Sequence, residues 1–272
     1  MQEFLDFFET MPIWMKAGWV FATLALFWIL EGYYQLFNLK YKKWKHAKVN
    51  LVLLLFVMVI NAVFGIATAG VFTWGETSQY GLLHYFEAPI WVELLISIMI
   101  LDLIAQYGVH YLLHKVKWMW RLHLVHHSDK NVDASSGTRH HPLDFMVRET
   151  FALAAVIITG MPIAFYFFYR ILSVLFTYWT HANVSLPLWL DKGMSYVIVT
   201  PNMHKFHHHF ELPWTDSNYG NMLAIWDRIF GTFVYENLKD IQYGIDIADH
   251  VDHESIGVQL KMPFNKDVKS KC

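Results

Sequence analysis

The sequence predicts an all-α bundle embedded in a lipid bilayer, and three observations predict it. The chain is 55% hydrophobic and 16% charged, whereas soluble domains carry about 25% charged residues. Its mean hydropathy is +0.28. It also holds four apolar regions of the roughly 20 residues or more that a helix needs to cross hydrocarbon.

The first region, Ile13 to Leu36, has Lys16 near its start and Glu31 near its end. The second, Val49 to Phe72, carries no charge and only Asn61 as a strongly polar interruption. The third, Ile90 to about Leu113, carries Glu93 and Asp102. The fourth, Phe151 to about Trp179, is too long for one straight span and contains Gly160, Met161 and Pro162. A residue before proline is pushed out of the α region, so this region reads as two helices meeting near Pro162, as a hairpin or a kinked pair. A shorter apolar run, Leu186 to Val199, is expected to lie in the membrane interface. Trp118, Trp120, Trp179 and Trp189 flank these regions as an aromatic belt would.

The N-terminus has neither a basic segment nor a small-residue cleavage site, so the first span is expected to be retained. Lysines set the orientation. Asn38 to Lys48 contains Lys40, Lys42, Lys43, Lys45 and Lys48 and no acid; Thr73 to Pro89 contains Glu76 and Glu87 and no lysine or arginine. The positive-inside rule puts the first segment in the cytoplasm, and the end of the third span returns there with Lys115, Lys117 and Arg121. Three units follow: membrane helices over 1–89, a histidine-bearing region over 90–235, and a polar cap over 236–272. The net charge of −2 and the lack of a basic stripe give no case for nucleic acid. The single cysteine, Cys272, excludes an intrachain disulfide and a cysteine-ligated cluster and reads as incidental.

Histidine spacing carries the chemistry. His110 and His114 are four apart; His123, His126 and His127 form one HxxHH; His204, His207 and His208 form another. Positions i, i+3 and i+4 share a helix face, so each set presents one stripe of imidazoles. Eight imidazoles exceed what one tetrahedral ion uses and suit two metal ions in a shared cage. Imidazole serves iron, copper and zinc, and the absence of HExxH removes the zinc-protease reading. His141 and His181 are candidates to complete the cage. His140 and His209 fall out of phase, although either is an alternative ligand. His84 belongs on the opposite side by topology, and His46, His250 and His253 read as surface residues. Asp102 and Gln106 precede His110 at four-residue steps, so Asp102 is expected to hold a ligand imidazole or a neighbouring residue. A membrane metal transporter or metal-binding sensor is the rival class. It would want ligands near mid-membrane rather than at one end.

The order HxxxH, HxxHH, Arg139-His140-His141-Pro142, a lone histidine, HxxHH, Asn218-Tyr219-Gly220 and Trp226 to Thr232 resembles the fatty acid hydroxylase superfamily, in its sterol desaturase-like branch, over roughly residues 95 to 235. That resemblance implies a membrane oxidoreductase with two iron ions in a histidine cage at the cytoplasmic face. Zinc is able to replace iron in a purified sample. The family's chemistry implies O2 as co-substrate, hydroxylation or desaturation of a lipid, and a separate electron donor, either a ferredoxin or a small haem protein with its reductase. The ligands implied are His110, His114, His123, His126, His127, His204, His207 and His208, with His141 and His181 less firmly placed. Asn218 and Asp227 are implied to sit beneath the site. The further acids Asp129 and Asp144 are expected to help fix imidazole tautomers. The lipid is expected to arrive through an apolar groove between the third span and the Pro162 helices.

Overall fold

A computed structural model describes residues 2–211, 213–236 and 241–268. Cys272 lies outside them. Among the described residues all regular structure is helical, apart from isolated bridges such as Gln35 to Val184. Helix α1 spans Gln2–Glu9, α2 Ile13–Tyr33 and α3 Lys43–Ser78. Helix α4, Ile90–Asp102, runs through a π-helical turn, Leu103–Gly108, into α5, Val109–Lys115. Helix α6 covers Lys117–His127, α7 Pro142–Thr159 and α8 Ile163–His181. Short helices follow: α9 Leu188–Met194, α10 Pro201–His207, α11 Ile225–Ile229 and α12 Ile256–Lys261.

Among the described residues, four helical stretches are long and apolar enough to cross a membrane: Ile13–Tyr33, Lys43–His84, Ile90–Lys115 and Ile163–His181. They sit where the apolar regions predict them. The second begins earlier than expected, at Lys43, which places His46 inside α3 rather than on a polar surface loop. Lipid-facing side chains such as Phe21, Ile29, Leu55, Ile66 and Leu95 stay exposed on these stretches, as helices in hydrocarbon require. The run Leu186 to Val199 forms α9 and its flanks, with Leu188, Trp189, Tyr196 and Val197 exposed.

The fourth apolar region does divide near Pro162. Helix α7 ends at Gly160 in the left-handed conformation, and Pro162 starts α8. The two helices share a core at the bend, through Ala155, Val156, Phe165 and Tyr166. Farther along they part: α7 packs on α3, while α8 packs on α1, α2 and α10, and α4 lies against both. The space between them becomes the cavity described below.

The bend leaves no room for side chains. A Cβ on Gly160 would stand 2.6 Å from the Tyr80 carbonyl oxygen, at φ +65°. Gly160→Ala is therefore expected to destabilise by at least about 1 kcal/mol. The readout is a thermal midpoint in detergent lowered by about 2 °C or more. Gly65→Ala, where an added Cβ meets nothing within 4 Å, should leave the midpoint level or raise it.

Candidate metal centre

The histidines converge in two adjoining groups. One contains His110 and His114 of α5, His123 and His127 of α6, and His207 of α10. The other contains His126 of α6, His181 at the end of α8, and His204 and His208 at the end of α10. In each group the candidate donor atoms all lie within 4.8 Å of one another, and every one of these nine residues is buried. Each stripe fans out at about 100° per residue: His123 and His127 lie about 40° apart with His126 displaced to one flank of them, and His204 and His208 lie about 40° apart with His207 displaced likewise, so one stripe serves both groups.

Backbone carbonyls fix the ring orientations. His110 Nδ1 lies 2.8 Å from the Tyr219 carbonyl and His207 Nδ1 2.8 Å from that of Ser217. His181 Nδ1 lies 2.7 Å from the Thr177 carbonyl and His126 Nδ1 3.2 Å from that of Arg139. A carbonyl oxygen only accepts, so each of these Nδ1 atoms carries the proton and each Nε2 keeps a lone pair. Those lone pairs point at other imidazoles. His181 Nε2 is 3.1 Å from His126 Nε2, 3.1 Å from His204 Nε2 and 3.2 Å from His208 Nε2. His110 Nε2 is 3.0 Å from His123 Nε2. His126 and His181 therefore face each other lone pair to lone pair, an arrangement that needs either a proton between them or a shared cation, and burial opposes the charged imidazolium. Two nitrogens bound at about 2.0–2.1 Å to one ion stand roughly 3 Å apart, so the spacing fits. Both ring nitrogens of His127, as well as His207 Nε2, are buried with no hydrogen-bond partner.

Burial, reinforced by neighbouring imidazoles, holds His126, His127, His204, His207 and His208 well below the usual imidazole range. Burial lowers His123 to about 3 despite the adjacent Asp144. These rings are neutral and offer their lone pairs at ordinary pH, the form a metal binds.

Of the ten expected ligands, the structure brings nine together and leaves out His141. His141 caps α7: its Nδ1 accepts from Leu143 N at 3.1 Å, and its Nε2 faces the Leu260 carbonyl. The residue before Pro142 cannot join a helical stripe, and its ring turns to the orphan N–H groups of α7 instead. Its neighbour His140 comes closer. It stacks on His126 with centroids 4.8 Å apart and forms a third group with His123 and Asp144. His209 stays out; its Nδ1 accepts from Glu211 N. His84 is exposed beside the Gly160 bend, outside both groups.

Of the two partners expected for Asp102, a cage imidazole or a neighbouring residue, it holds none of the imidazoles. It accepts from the Tyr169 hydroxyl at 2.8 Å, the Trp226 indole N–H at 2.9 Å and Leu223 N at 3.2 Å. The π turn is the reason. Stepping by four from Asp102 to His110 assumes an unbroken α-helix, and the i→i+5 turn between them shifts the phase. Asp102 instead anchors the start of α11 to the membrane helices. Asp227 lies beneath the site: it accepts from Tyr219 N at 2.8 Å and Gly220 N at 2.9 Å, fixing the turn whose carbonyl orients His110. Asn218, at φ 52°, spans from the Met203 carbonyl to that of Val234.

Asp216, Asp133, Asn50 and Lys205 escaped the sequence reading as supporting residues, and Asp129, Arg139 and His46 take roles other than those expected. Asp216 stands 3.2 Å from His114 Nδ1. Asp129 pairs not with a cage ring but with His46, at 2.8 Å, and both are fully buried. His46 Nδ1 also lies 3.3 Å from Asp133. Arg139, fully buried, donates to the Val125 carbonyl, Asn50 and the His253 carbonyl, so it ties α6 to α3 and to the polar cap. Lys205 donates to the His181 carbonyl, and burial pushes it down to about 7. The four-residue spacing of His46 and Asn50 was the available signal, masked by surrounding lysines.

A cavity of about 170 Å³ opens against this centre, touching His110 of the first group and His126, His181 and His204 of the second. It runs between α3, the π turn, α7 and α8, with Leu54, Val57, Met58, Ala105, Phe145 and Val174 as its apolar wall.

A buried all-histidine, two-centre site on a membrane-helix bundle defines a class of membrane metalloprotein. Residues 94–232 match the family model described as fatty acid hydroxylase, and the chain belongs to that family. Among its relatives, human alkylglycerol monooxygenase is 31% identical over 51% of this chain and 30% of its own length. The ornithine lipid hydroxylase OlsE of Rhizobium tropici is 27% identical over 60% of this chain and 49% of its own. A very-long-chain aldehyde decarbonylase of Oryza sativa is 27% identical over 80% of this chain and 88% of its own. The chain thus spans half or less of the length of the first two. No solved structure matches it significantly.

The two aspartates are expected to separate in their effects. Asp102→Ala strands three buried donors at about 1–3 kcal/mol each, so the thermal midpoint should fall by about 6 °C or more while folded protein keeps its metal. Asp227→Ala frees the Tyr219 turn and should cost about tenfold or more in metal affinity, measured by chelator competition.

Proposed function

We propose that this chain is an O2-dependent membrane oxidoreductase that hydroxylates or desaturates a lipid with electrons supplied from outside. The observation carrying this reading is the facing pair of Nε2 lone pairs on His126 and His181, with the Nε2 atoms of His204 and His208 3.1 and 3.2 Å from that of His181. Such an array holds a cation, and membership of the fatty acid hydroxylase family points to iron. One ion would sit among His110, His114, His123, His127 and His207 and a second among His126, His181, His204 and His208. Zinc suits the same donors and is able to replace iron in purified protein. When bound, the two irons supply the oxidising power for attack on an unactivated C–H bond, with O2 as co-substrate.

The chain's own residues do the rest. The cavity touches both histidine groups, so one carbon of an alkyl chain seated in it reaches either. Its apolar wall excludes water, and the outward Nδ1 hydrogen bonds lock the rings against rotation. The ligand set is uncharged, and the nearby carboxylates Asp144 and Asp216 offset metal charge by lying 3.3 Å from His123 and 3.2 Å from His114. The relatives' names support lipids as the substrate class: an alkylglycerol, an ornithine lipid and a very-long-chain aldehyde.

We place the centre at the cytoplasmic face on the charge asymmetry of the loops: the lysine-rich segment 38–48 lies on the histidine side, with Lys43 paired to Glu31 at 2.7 Å. Residues 1–89 then act as membrane helices, 90–235 as the catalytic region and 236–272 as a cap. A separate ferredoxin or small haem protein with its reductase delivers electrons at that face.

Purified full-length chain should carry about two metal ions per molecule, one for each histidine group. His126→Ala and His207→Ala should each abolish O2-dependent product in lipid extracts analysed by mass spectrometry. His141→Ala should retain product and lose about 1 kcal/mol of stability as a helix cap. Turnover persisting in both cage variants would overturn the reading.

A further inference from the structure

An ion pair crosses the cavity well away from the histidines. Arg170 of α8 donates to Glu149 of α7 at 2.7 Å and to Asn61 of α3 at 3.3 Å. All three residues line the cavity that touches His181 and His110. They lie deep within their helices. Arg170 and His181 are eleven residues apart on α8, about 16 Å at 1.5 Å per residue. Charged groups in hydrocarbon are costly, and a well-packed apolar pair of similar volume is often more stable than a buried ion pair. Packing alone therefore gives no reason for the trio. Glu149 is nearly sealed, but Arg170 keeps a quarter of its side-chain surface open, at 25% against 4% for its partner. A guanidinium has five N–H donors, and Glu149 and Asn61 account for two of the contacts.

The charge count is informative. Arg148, the other arginine on the cavity wall, is matched by Asp144 at 3.2 Å. Arg170 is matched by Glu149. Each cation facing the cavity already has its carboxylate. An incoming carboxylate or phosphate would meet Glu149 as well as Arg170, whereas an uncharged oxygen would meet N–H donors without like-charge repulsion.

We propose that Arg170, held by Glu149 and Asn61, binds an uncharged, oxygen-bearing group of the lipid substrate at the end of the cavity remote from the histidines. The substrate class is a neutral amphiphile, with hydroxyl, ether or ester oxygen, oxidised at a carbon several helical turns' reach from that group. This rests on the cavity being the lipid site of the proposed oxygenase and adds the selectivity that reading leaves open.

The test is equilibrium binding to the full metal-loaded chain in detergent, under nitrogen and without reductant, so that no turnover occurs. The probes are 1-O-hexadecylglycerol and hexadecanoate, equal in chain length, at a pH where the acid is ionised. The wild type should prefer the neutral probe by about tenfold or more. Glu149→Gln keeps the shape and removes the neutralising charge, so it should raise affinity for hexadecanoate and reverse or erase the preference. Asn61→Leu should weaken the neutral probe. A merely structural ion pair predicts that Glu149→Gln weakens both probes equally. That result, a wild type preferring hexadecanoate, or a wild type binding neither probe would overturn the proposal. Selective binding by a chain that produces no oxidised lipid would instead overturn the oxygenase reading and leave this one standing.

Discussion

Carbonyl oxygens on the outside of the histidine cage decide where its protons go. Tyr219, Ser217, Thr177 and Arg139 each present a backbone oxygen to an Nδ1, and that oxygen can only accept. The inner nitrogens are left as lone pairs at contact distance in a buried space. Protonating them is opposed by burial, which drives the rings of α6 and α10 toward the neutral form. The remaining way to satisfy the array is a cation, and much of the surrounding structure holds those four carbonyls in position. Asp227 pins the Tyr219 turn, Asn218, next to Ser217, donates to the Met203 carbonyl of α10, and the end of α8 supplies Thr177.

The membrane setting and the site are linked through α7 and α8. Their bend near Pro162 joins them at one end, and different neighbours draw them apart toward the other. The gap they leave meets the cage where His181 ends α8 and Asp144 opens α7. The gap is a largely apolar slot leading to the histidines, the route that the proposed alkyl substrate would take. Arg139, Asp129 and His46 lie behind the cage as a buried polar network tying α6 to α3. Buried networks of this kind cost desolvation and specify one arrangement when every member is satisfied.

Much of this was legible in the sequence because it depends on periodicity. Span positions follow from apolar runs, the bend from Gly160 and Pro162, and the single stripe that each HxxHH presents from helical phase, whereas the sharing of each stripe between two groups emerges only from the packing of α5, α6, α8 and α10. What was not legible depends on interruptions of phase or on distant partners. A π turn between Asp102 and His110 cannot be seen in residue spacing, so spacing alone left open whether Asp102 would hold an imidazole or another residue, and it anchors Trp226. His141 satisfies the helix-capping needs of α7, which a histidine count does not reveal. His46 looked like part of a lysine-rich surface because the helix start at Lys43 is set by tertiary pairing, with Glu31 and Asp129, rather than by hydropathy. The role of Asn61 was also hidden: it appeared only as a polar blemish in an apolar span until Arg170 and Glu149 were found beside it.

The central claim is that lone pairs alone line two adjacent pockets and that each takes its own ion. Anomalous diffraction at the iron edge, from crystals of the purified chain, tests it most directly. The account predicts two resolved peaks, one ringed by His110, His114, His123, His127 and His207 and the other by His126, His181, His204 and His208, with no carboxylate oxygen in either coordination shell. A single peak, a peak bound by Asp144 or His141, or an ordered cage with no metal would contradict it.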